Sequence, residues 1–374
     1  MKIGIIALSL NKNSTPGYYN SQELGLGKAL ASCNHFVKVY KLFSSNTLSL
    51  SKTEVVNNNL LYIQLPAHAL GINGFFNKKL LDSSLDALIC FCDIQLYTLS
   101  IATWCKKHNI AFYPYIGVIT SSSINLIYKH LMNIFARYLI RFYRNQKVIL
   151  VKTPSVLHQL LDLGISTAKL APIGLDTTLL INNYEQFNTI DLKTKWGYSS
   201  SDKIILFIGR LVPEKEPLEM IKIFAEAYQI DSNLRLCMIG HGELQAEVEM
   251  LCRNLDITHA VKIFSSIPNK HIWEFYRISN YLINLNHHEI YGMVLMEAMY
   301  YECPIIAYHA PGPDFIIGDL ANDSSIPVYL VNHRAEIVSL LTSTSVSCKL
   351  CTLSLHEKIT QNFTWEKLIE HLPL

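Results

Sequence analysis

Apolar runs of strand length recur along the first half of the chain, at residues 3–10, 36–40, 60–64, 87–91 and 148–151. They are apolar almost throughout rather than alternating with polar residues, the pattern of strands buried on both faces of a parallel sheet. Between the first two, residues 21–33 place Leu24, Leu26 and Leu30 near helical spacing, and Asn34 follows as a helix stop. The chain therefore opens β-α-β. The second half repeats the plan, with apolar runs at 203–208, 234–239, 261–264, 281–285, 304–308 and 327–331 separated by helical stretches. Strands alternating with helices of this length predict an α/β fold built from doubly wound parallel sheets.

Residues 172–201 hold Gly174, Gly197 and a polar, weakly periodic stretch, and the expected boundary falls there. The expected domains are 1–175 and 176–355. The tail 356–374 carries Ile359, Phe363, Trp365, Leu368 and Ile369 on an amphipathic pattern, which predicts a last helix packing back across the join. No repeat of solenoid length or low-complexity tract interrupts this plan.

Composition narrows the class. Of 374 residues, 50% are hydrophobic and 17% charged, which excludes a disordered, collagenous or mucin-like chain. Two uncharged stretches, 55–77 and 108–128, reach membrane-spanning length, but Asn57, Asn58, Asn59, Pro66 and Gly71 break the first, and Pro114, Gly117 and Ser121 the second. Both read as strands and loops. The first 13 residues have a lysine and an apolar run without a long apolar region or a small-residue cleavage site, so they read as a first strand rather than a signal peptide. The nine cysteines are odd in number and scattered, as reduced thiols are. Cys348 and Cys351 form one CxxC, by chance or as half a zinc site, which His356 alone does not complete. The net charge of +2 hides a division: residues 1–180 carry 17 Lys and Arg against 7 Asp and Glu, or +10, leaving 15 against 23, or −8. The halves are thus suited to different partners.

In open α/β sheets, ligands bind beyond the carboxyl ends of strands, where loops enter helix N-termini. In the second half the loop after 203–208 reads Gly209-Arg210-Leu-Val-Pro-Glu-Lys215, a close-approach glycine followed by two cations. These cations either grip a diphosphate together or are ordinary surface charges, and spacing does not decide. After 234–239 comes Gly240-His241-Gly242, which by itself serves a turn as readily as a ligand. The densest segment follows 281–285 and runs from Asn286 to Met299, with Glu289 in the loop, Gly292, Met293 and Val294 at the helix start and Glu297 inside the helix. Glu297 lies in a Met-Val-Leu-Met-Glu-Ala-Met stretch, where a carboxylate needs a donor: ribose hydroxyls, or a structural Lys or Arg. His287 and His288 are adjacent, so on an extended segment they point opposite ways, and packing or backbone roles are favoured over a shared metal.

FIGRLVPEKEP, MIGHGEL and HEIYGMVLMEAMYYECPIIA, in this order and separation, resemble the donor domain of retaining GT-B glycosyltransferases of family 4, the group 1 glycosyltransferases. GYYNSQELGLGKAL and APIGLD extend the resemblance over the first half. It implies two Rossmann-like domains facing across a cleft, with Arg210 and Lys215 on the donor diphosphate, Glu297 on the ribose and Glu289 facing the transferred sugar. The backbone around Gly292, Met293 and Val294 then lines the sugar and phosphates, with Gly209, Gly240, His241 and Gly242 completing the donor site. Arg210, Lys215 and Glu289 are thereby the catalytic candidates. The cations take the charge often given to a metal, so the resemblance implies a UDP- or GDP-sugar as co-substrate and neither metal nor other cofactor. Two departures stand out: Glu302-Cys303-Pro304, where members commonly carry glycine, and His287-His288, where they often carry small residues. A first-domain histidine of related enzymes has no clear counterpart, the corresponding loop being matched to Tyr113, Pro114, Tyr115, Ile116 and Gly117.

In the first half, Gly17, Tyr18, Asn20, Ser21 and Gln22 follow the first strand and offer hydroxyls, amides and an aromatic face, either to a saccharide acceptor or merely to solvent. The tract 94–161 has no acid. Within it YKHLMNIFARYLIRFYRNQK interleaves Lys129, Arg137, Arg141 and Arg144 with apolar residues, a basic amphipathic helix suited to an anionic membrane surface. The competing account packs its apolar side on its own domain and leaves the cations in solvent. No RNA-reading module accompanies it, so nucleic acid is not an expected partner. The expectation is a cytoplasmic glycosyltransferase, peripheral to the inner face of the membrane, that moves a sugar onto a saccharide or lipid-linked acceptor in capsule, exopolysaccharide or lipopolysaccharide synthesis. Its rivals are a GT-B epimerase or hydrolase of sugar nucleotides, and a non-catalytic nucleotide-sugar-binding subunit.

Overall fold

The computed structural model describes residues 1–10, 21–44, 51–121, 125–343 and 349–372. Its contacts divide the chain into two units, Met1–Asp176 with Thr364–Leu374, and Thr177–Phe363.

The first unit carries β1 (Lys2–Ala7), α1 (Gln22–Ser32), β2 (Phe36–Ser44), β3 (Lys52–Asn57), β4 (Leu60–Leu70), β5 (Asn73–Phe76), β6 (Ala87–Phe91), α2 (Thr98–Lys107), β7 (Ala111–Ile116), α3 (Leu126–Tyr143), β8 (Ile149–Val151), α4 (Pro154–Asp162) and β9 (Ala168–Leu170). The sheet runs β3-β4-β2-β1-β6-β7-β8-β9, with β5 paired to β4. All pairings are parallel except the β3–β4 and β4–β5 pairs. Chain order therefore reverses direction between β1 and β6, the switch point at which such sheets receive ligands. The interior of β1 and all of β6 are buried, as their unbroken apolar runs require. The segment 113–116, matched above to a loop, lies within β7, where Pro114 is aligned with Cys90 of β6. A proline in a run argues against a strand in sequence, and here the sheet accommodates it.

The second unit carries α5 (Thr189–Lys195), β10 (Lys203–Ile208), α6 (Pro217–Ile230), β11 (Leu234–Ile239), α7 (Gln245–Asn254), β12 (Val261–Phe264), α8 (Asn269–Ile278), β13 (Ser279–Asn284), α9 (Met293–Tyr300), β14 (Ile305–Tyr308), α10 (Pro311–Ala321), β15 (Val328–Val331), α11 (Arg334–Thr342) and α12 (Lys349–Asn362). Its sheet is wholly parallel in the order β12-β11-β10-β13-β14-β15, with the switch point between β10 and β13.

The tail expected as one helix is two elements. After α12 the chain turns at Phe363 and Thr364, and α13 (Trp365–Leu368) belongs to the first unit. Trp365 is fully buried against two glycines there: a Cβ on Gly25 would stand 2.3 Å from its indole nitrogen, and one on Gly174 would stand 2.5 Å from its backbone nitrogen. Those glycines make room for the indole.

One buried carboxylate ties α5 to α8 in the second unit. Glu274 receives Lys195 Nζ at 2.6 and 2.7 Å and Trp196 Nε1 at 2.7 Å, with His271 Nδ1 at 2.7 Å. Burial opposes its ionisation, but the Lys195, His271 and Trp196 hydrogen bonds together hold its carboxyl below the usual value of 4.5. A depressed folded pKa contributes stability that is present above 4.5 and lost as pH falls through the folded value. Glu274→Gln is therefore expected to flatten the acid limb of a melting-temperature profile below pH 4.5. An unchanged limb in the variant contradicts the assignment.

Candidate functional site

Beside the switch point of the second unit, the loops after β10 and β11 press backbone against backbone. Gly209 N donates to Ile239 O at 3.0 Å, Leu211 N to His241 O at 3.0 Å, and Leu244 N to Leu211 O at 3.0 Å. A Cβ on Gly240 would lie 1.9 Å from Gly209 O, and one on Gly242 would lie 2.2 Å from Leu211 O. Both glycines are thus required by the close approach itself. The exposed His241 between them sits with Nδ1 3.2 Å from Ser265 O.

This packing carries the cation loop to the loop after β13. Lys215 Nζ lies 2.5 Å from Glu289 Oε2. The same oxygen accepts from Asn284 Nδ2 at 3.3 Å and Asn286 Nδ2 at 3.2 Å. Glu289 is 13% exposed, so three converging donors offset the cost of its burial. Asn286 in turn accepts from His288 N at 2.9 Å, which fixes the loop. Lys215 and Glu289, two of the three catalytic candidates, are therefore one ion pair. Arg210, the third, is exposed and makes no ion pair among the described residues.

Gly292 follows with φ +93° and ψ 65°, a left-handed conformation that lets the chain turn directly into α9. No side chain caps this helix, so the amides of Met293 and Val294 at its first turn leave a partial positive charge for a ligand. One turn further in, Glu297 is 6% exposed and accepts from Tyr276 Oη at 2.8 Å. Tyr276 is thus one partner of the buried carboxylate, a donor that the sequence reading did not consider.

The two sequence departures have physical accounts. Glu302 adopts φ +59° just past α9, a position where glycine costs nothing and another residue about 1–2 kcal/mol. Its carboxylate is held 2.6 Å from Arg277 Nη1, both side chains being buried, and this pairing fixes the unusual residue. His287 stacks on Tyr308 with ring centroids 4.2 Å apart, and His288 is exposed. Among the described residues no His, Cys, Asp and Glu cluster could hold a metal ion. The seven described cysteines are free thiols; the Cys348–Cys351 spacing lies outside the described side chains.

In the first unit, Gly17, Tyr18 and Asn20 lie outside the described residues. Ser21 caps α1, its Oγ accepting from Leu24 N at 3.3 Å, and Gln22 begins the helix. Both line a cavity that also receives Glu23, Lys41, Asp93, Gln95 and Lys152. None of these five was singled out for a ligand from sequence. Asp93 and Gln95 follow the apolar run 87–91, so reading loops after strands in this half as well would have found them.

α3 buries Met132, Ala136, Leu139 and Tyr143 on its own unit. Ile127, Leu131, Ile134 and Tyr138 form a second line at spacings of three and four, and all are exposed. Lys129, Arg137, Arg141 and Arg144 are exposed as well. The helix therefore has both an inward apolar face and an outward one. Among the described residues no helix is long and apolar enough to cross a membrane.

Residues 189–350 match the family described as glycosyl transferases group 1. Among curated proteins, the amylovoran biosynthesis glycosyltransferase AmsD of Erwinia amylovora is 31% identical over 173 residues, 45% of this chain and 44% of that protein. The alpha-monoglucosyldiacylglycerol synthase of Streptococcus pneumoniae is 23% identical over 135 residues, 36% of this chain and 31% of the synthase. These matches thus span about a third to under a half of the relatives' length. Among solved structures, Anabaena HepE in complex with UDP and glucose superposes with a TM-score of 0.71 at 14% identity, covering 99% of this chain and 98% of that one. Residues 189–350 are therefore a glycosyl transferases group 1 domain, of a family of transferase enzymes, in a chain with the GT-B fold of two parallel-sheet α/β units.

Proposed function

We propose that the chain is a retaining glycosyltransferase of family 4 that moves a sugar from a UDP- or GDP-sugar to a saccharide acceptor, lipid-linked and destined for capsule, exopolysaccharide or lipopolysaccharide. The observation that carries this reading is the convergence of Lys215, Glu289, Asn284 and Asn286 at the switch point between β10 and β13, on the loop that enters the uncapped α9. In this reading Lys215 and Arg210 meet the diphosphate, Glu297 takes the ribose, Glu289 faces the sugar, and the α9 amides line its phosphates. Departure of the diphosphate concentrates negative charge on the leaving oxygen, which fixed cations and a helix N-terminus stabilise without reorganising. The leaving phosphate helps to take the acceptor's proton on the same face, and the cations supply the charge that a metal would otherwise bring. AmsD's name concerns amylovoran biosynthesis and the synthase's a monoglucosyldiacylglycerol, which supports a saccharide or lipid-linked acceptor.

The test is nucleotide release from UDP- and GDP-sugars with and without a membrane-lipid extract. Release that needs the extract, with a product of unchanged anomeric configuration, is expected. Release at the same rate without it contradicts transfer and favours a hydrolase or epimerase.

Peripheral contact with anionic lipid on the cytoplasmic side belongs to the same proposal. An exposed apolar line on α3 beside four exposed cations fits a bilayer surface, where each cation contributes about 1 kcal/mol. Changing Arg137, Arg141 and Arg144 together to Glu is expected to weaken sedimentation with phosphatidylserine vesicles by at least about a hundredfold, three such contributions. Unaltered sedimentation contradicts the contact.

A further inference from the structure

Three unfavourable features meet at the turn that ends α9. Glu302 stands at φ +59°, in the left-handed region where a Cβ is strained. Its carboxylate pairs with the Arg277 guanidinium at 2.6 Å, with side chains 6% and 8% exposed, and a pair so buried stabilises a fold no better than apolar residues of similar volume. Arg277 Nε is buried without a hydrogen-bond partner among the described residues. A glycine at 302 and an apolar side chain at 277 would remove all three. Strain of this kind persists where a position has to be held, and what this pair holds is α9.

α9 has only eight residues and no side-chain cap at its start, so its own hydrogen bonds fix it weakly. Arg277 Nη1 donates to Tyr301 O at 3.2 Å as well as to Glu302, which places a cation at the carbonyl end of the helix, where the dipole favours one. The preceding residue of α8, Tyr276, grips the same helix one turn earlier. Its ring stacks on Tyr301 with centroids 5.9 Å apart and 18° between the planes, and its hydroxyl donates to Glu297 Oε2 at 2.8 Å. Glu297 and Tyr301 are four apart, one above the other on a single face, and Tyr301 N donates back to Glu297 O at 3.1 Å. Two adjacent residues of α8 therefore hold α9 from Glu297 to Glu302.

We propose that Tyr276 and Arg277 are positioning residues for Glu297. Tyr276 fixes the orientation of its carboxylate, and Arg277, through Glu302 and the Tyr301 carbonyl, fixes where α9 stands along its axis. Both act through Glu297, so the inference rests on the reading of that carboxylate as the ribose ligand.

The experiment is calorimetric titration of the full chain with UDP, GDP and their 2′-deoxy forms, with Tm measured in parallel. Tyr276→Phe keeps the stacked ring and removes one donor. It is expected to weaken binding of the ribonucleotide by about fivefold or more, one hydrogen bond's worth, and to narrow its preference over the deoxy form. In a Glu297→Ala background the same change should have no further effect, as for two members of one contact. Arg277→Met combined with Glu302→Gly removes the buried pair and the strain together, so Tm should hold or rise while nucleotide affinity falls by about fivefold or more. A purely structural pair would leave affinity and deoxy preference untouched. Unchanged binding in Tyr276→Phe overturns the proposal by itself, even where the double variant does not fold, and so does a folded double variant with wild-type affinity. Weakened binding in Glu297→Ala beside unchanged binding in Tyr276→Phe overturns the positioning role and leaves the ribose assignment standing. Wild-type affinity in Glu297→Ala, or no binding of either nucleotide to the folded wild-type chain, overturns both.

Discussion

Lys215→Ala is expected to lower kcat by about two to three orders of magnitude, the usual cost of deleting one preorganised charge from a site where negative charge develops. Donor affinity should change far less, because the demand on the ammonium is greatest when the diphosphate departs. The substitution also breaks an ion pair. Lys215 Nζ is 2.5 Å from Glu289 Oε2, and without it the half-buried carboxylate keeps only the Asn284 and Asn286 amides. Glu289→Gln and the double variant should therefore be non-additive with Lys215→Ala, as two members of one contact are. Arg210, unpaired among the described residues, should behave independently of Glu289 while also depressing turnover more than affinity. Steady-state kinetics of nucleotide release check all four variants. Equal losses in affinity and in kcat/KM for Lys215→Ala would make it a uniform binding group rather than a group that acts in the transition state.

The second large effect is expected at Glu297. A carboxylate that accepts from ribose hydroxyls contributes about 1.5–3 kcal/mol per bond, so Glu297→Ala should weaken nucleotide binding by at least about tenfold. Because Tyr276 donates to this carboxylate at 2.8 Å, the alanine variant also deprives a buried phenol of an acceptor. Glu297→Gln keeps an acceptor there and separates the two effects. Nucleotides lacking the 2′- or 3′-hydroxyl sharpen the test: the wild-type chain should discriminate against them, and the alanine variant should not. Unchanged nucleotide affinity in a folded alanine variant contradicts the ribose assignment.

The doubly wound plan was legible because parallel strands buried on both faces read as unbroken apolar runs, and β1, β6, β10 and β11 lie where those runs fall. Four strands lacked that signal. β3 is exposed along its whole length, so nothing apolar marks it, and β7 contains Pro114. β5 opens on Asn73 and Gly74, and β9 carries Lys169 at its centre, so neither is an unbroken apolar run. In the tail the amphipathic pattern runs on through Phe363 and Thr364, where the chain breaks to insert Trp365 between Gly25 and Gly174. That break depends on space left by two distant glycines, which no local window contains. The segments proposed to hold the donor could be picked out for the opposite reason, since Gly209 to Lys215 and Asn286 to Glu297 are each one continuous stretch of chain. The polar wall of the first unit is not: Glu23, Lys41, Asp93 and Lys152 come from four separate parts of the chain and meet only through the sheet.

The proposed function stands on a nucleotide site in the second unit, built on Lys215, Glu289 and the start of α9, that works without metal. Calorimetric titration of the purified chain with UDP, GDP and ADP, each with and without magnesium or manganese, addresses it most directly. One of these nucleotides is expected to bind in the micromolar range, equally with and without metal. No binding of any of them to a folded chain, or binding that appears only when the metal is added, would contradict it.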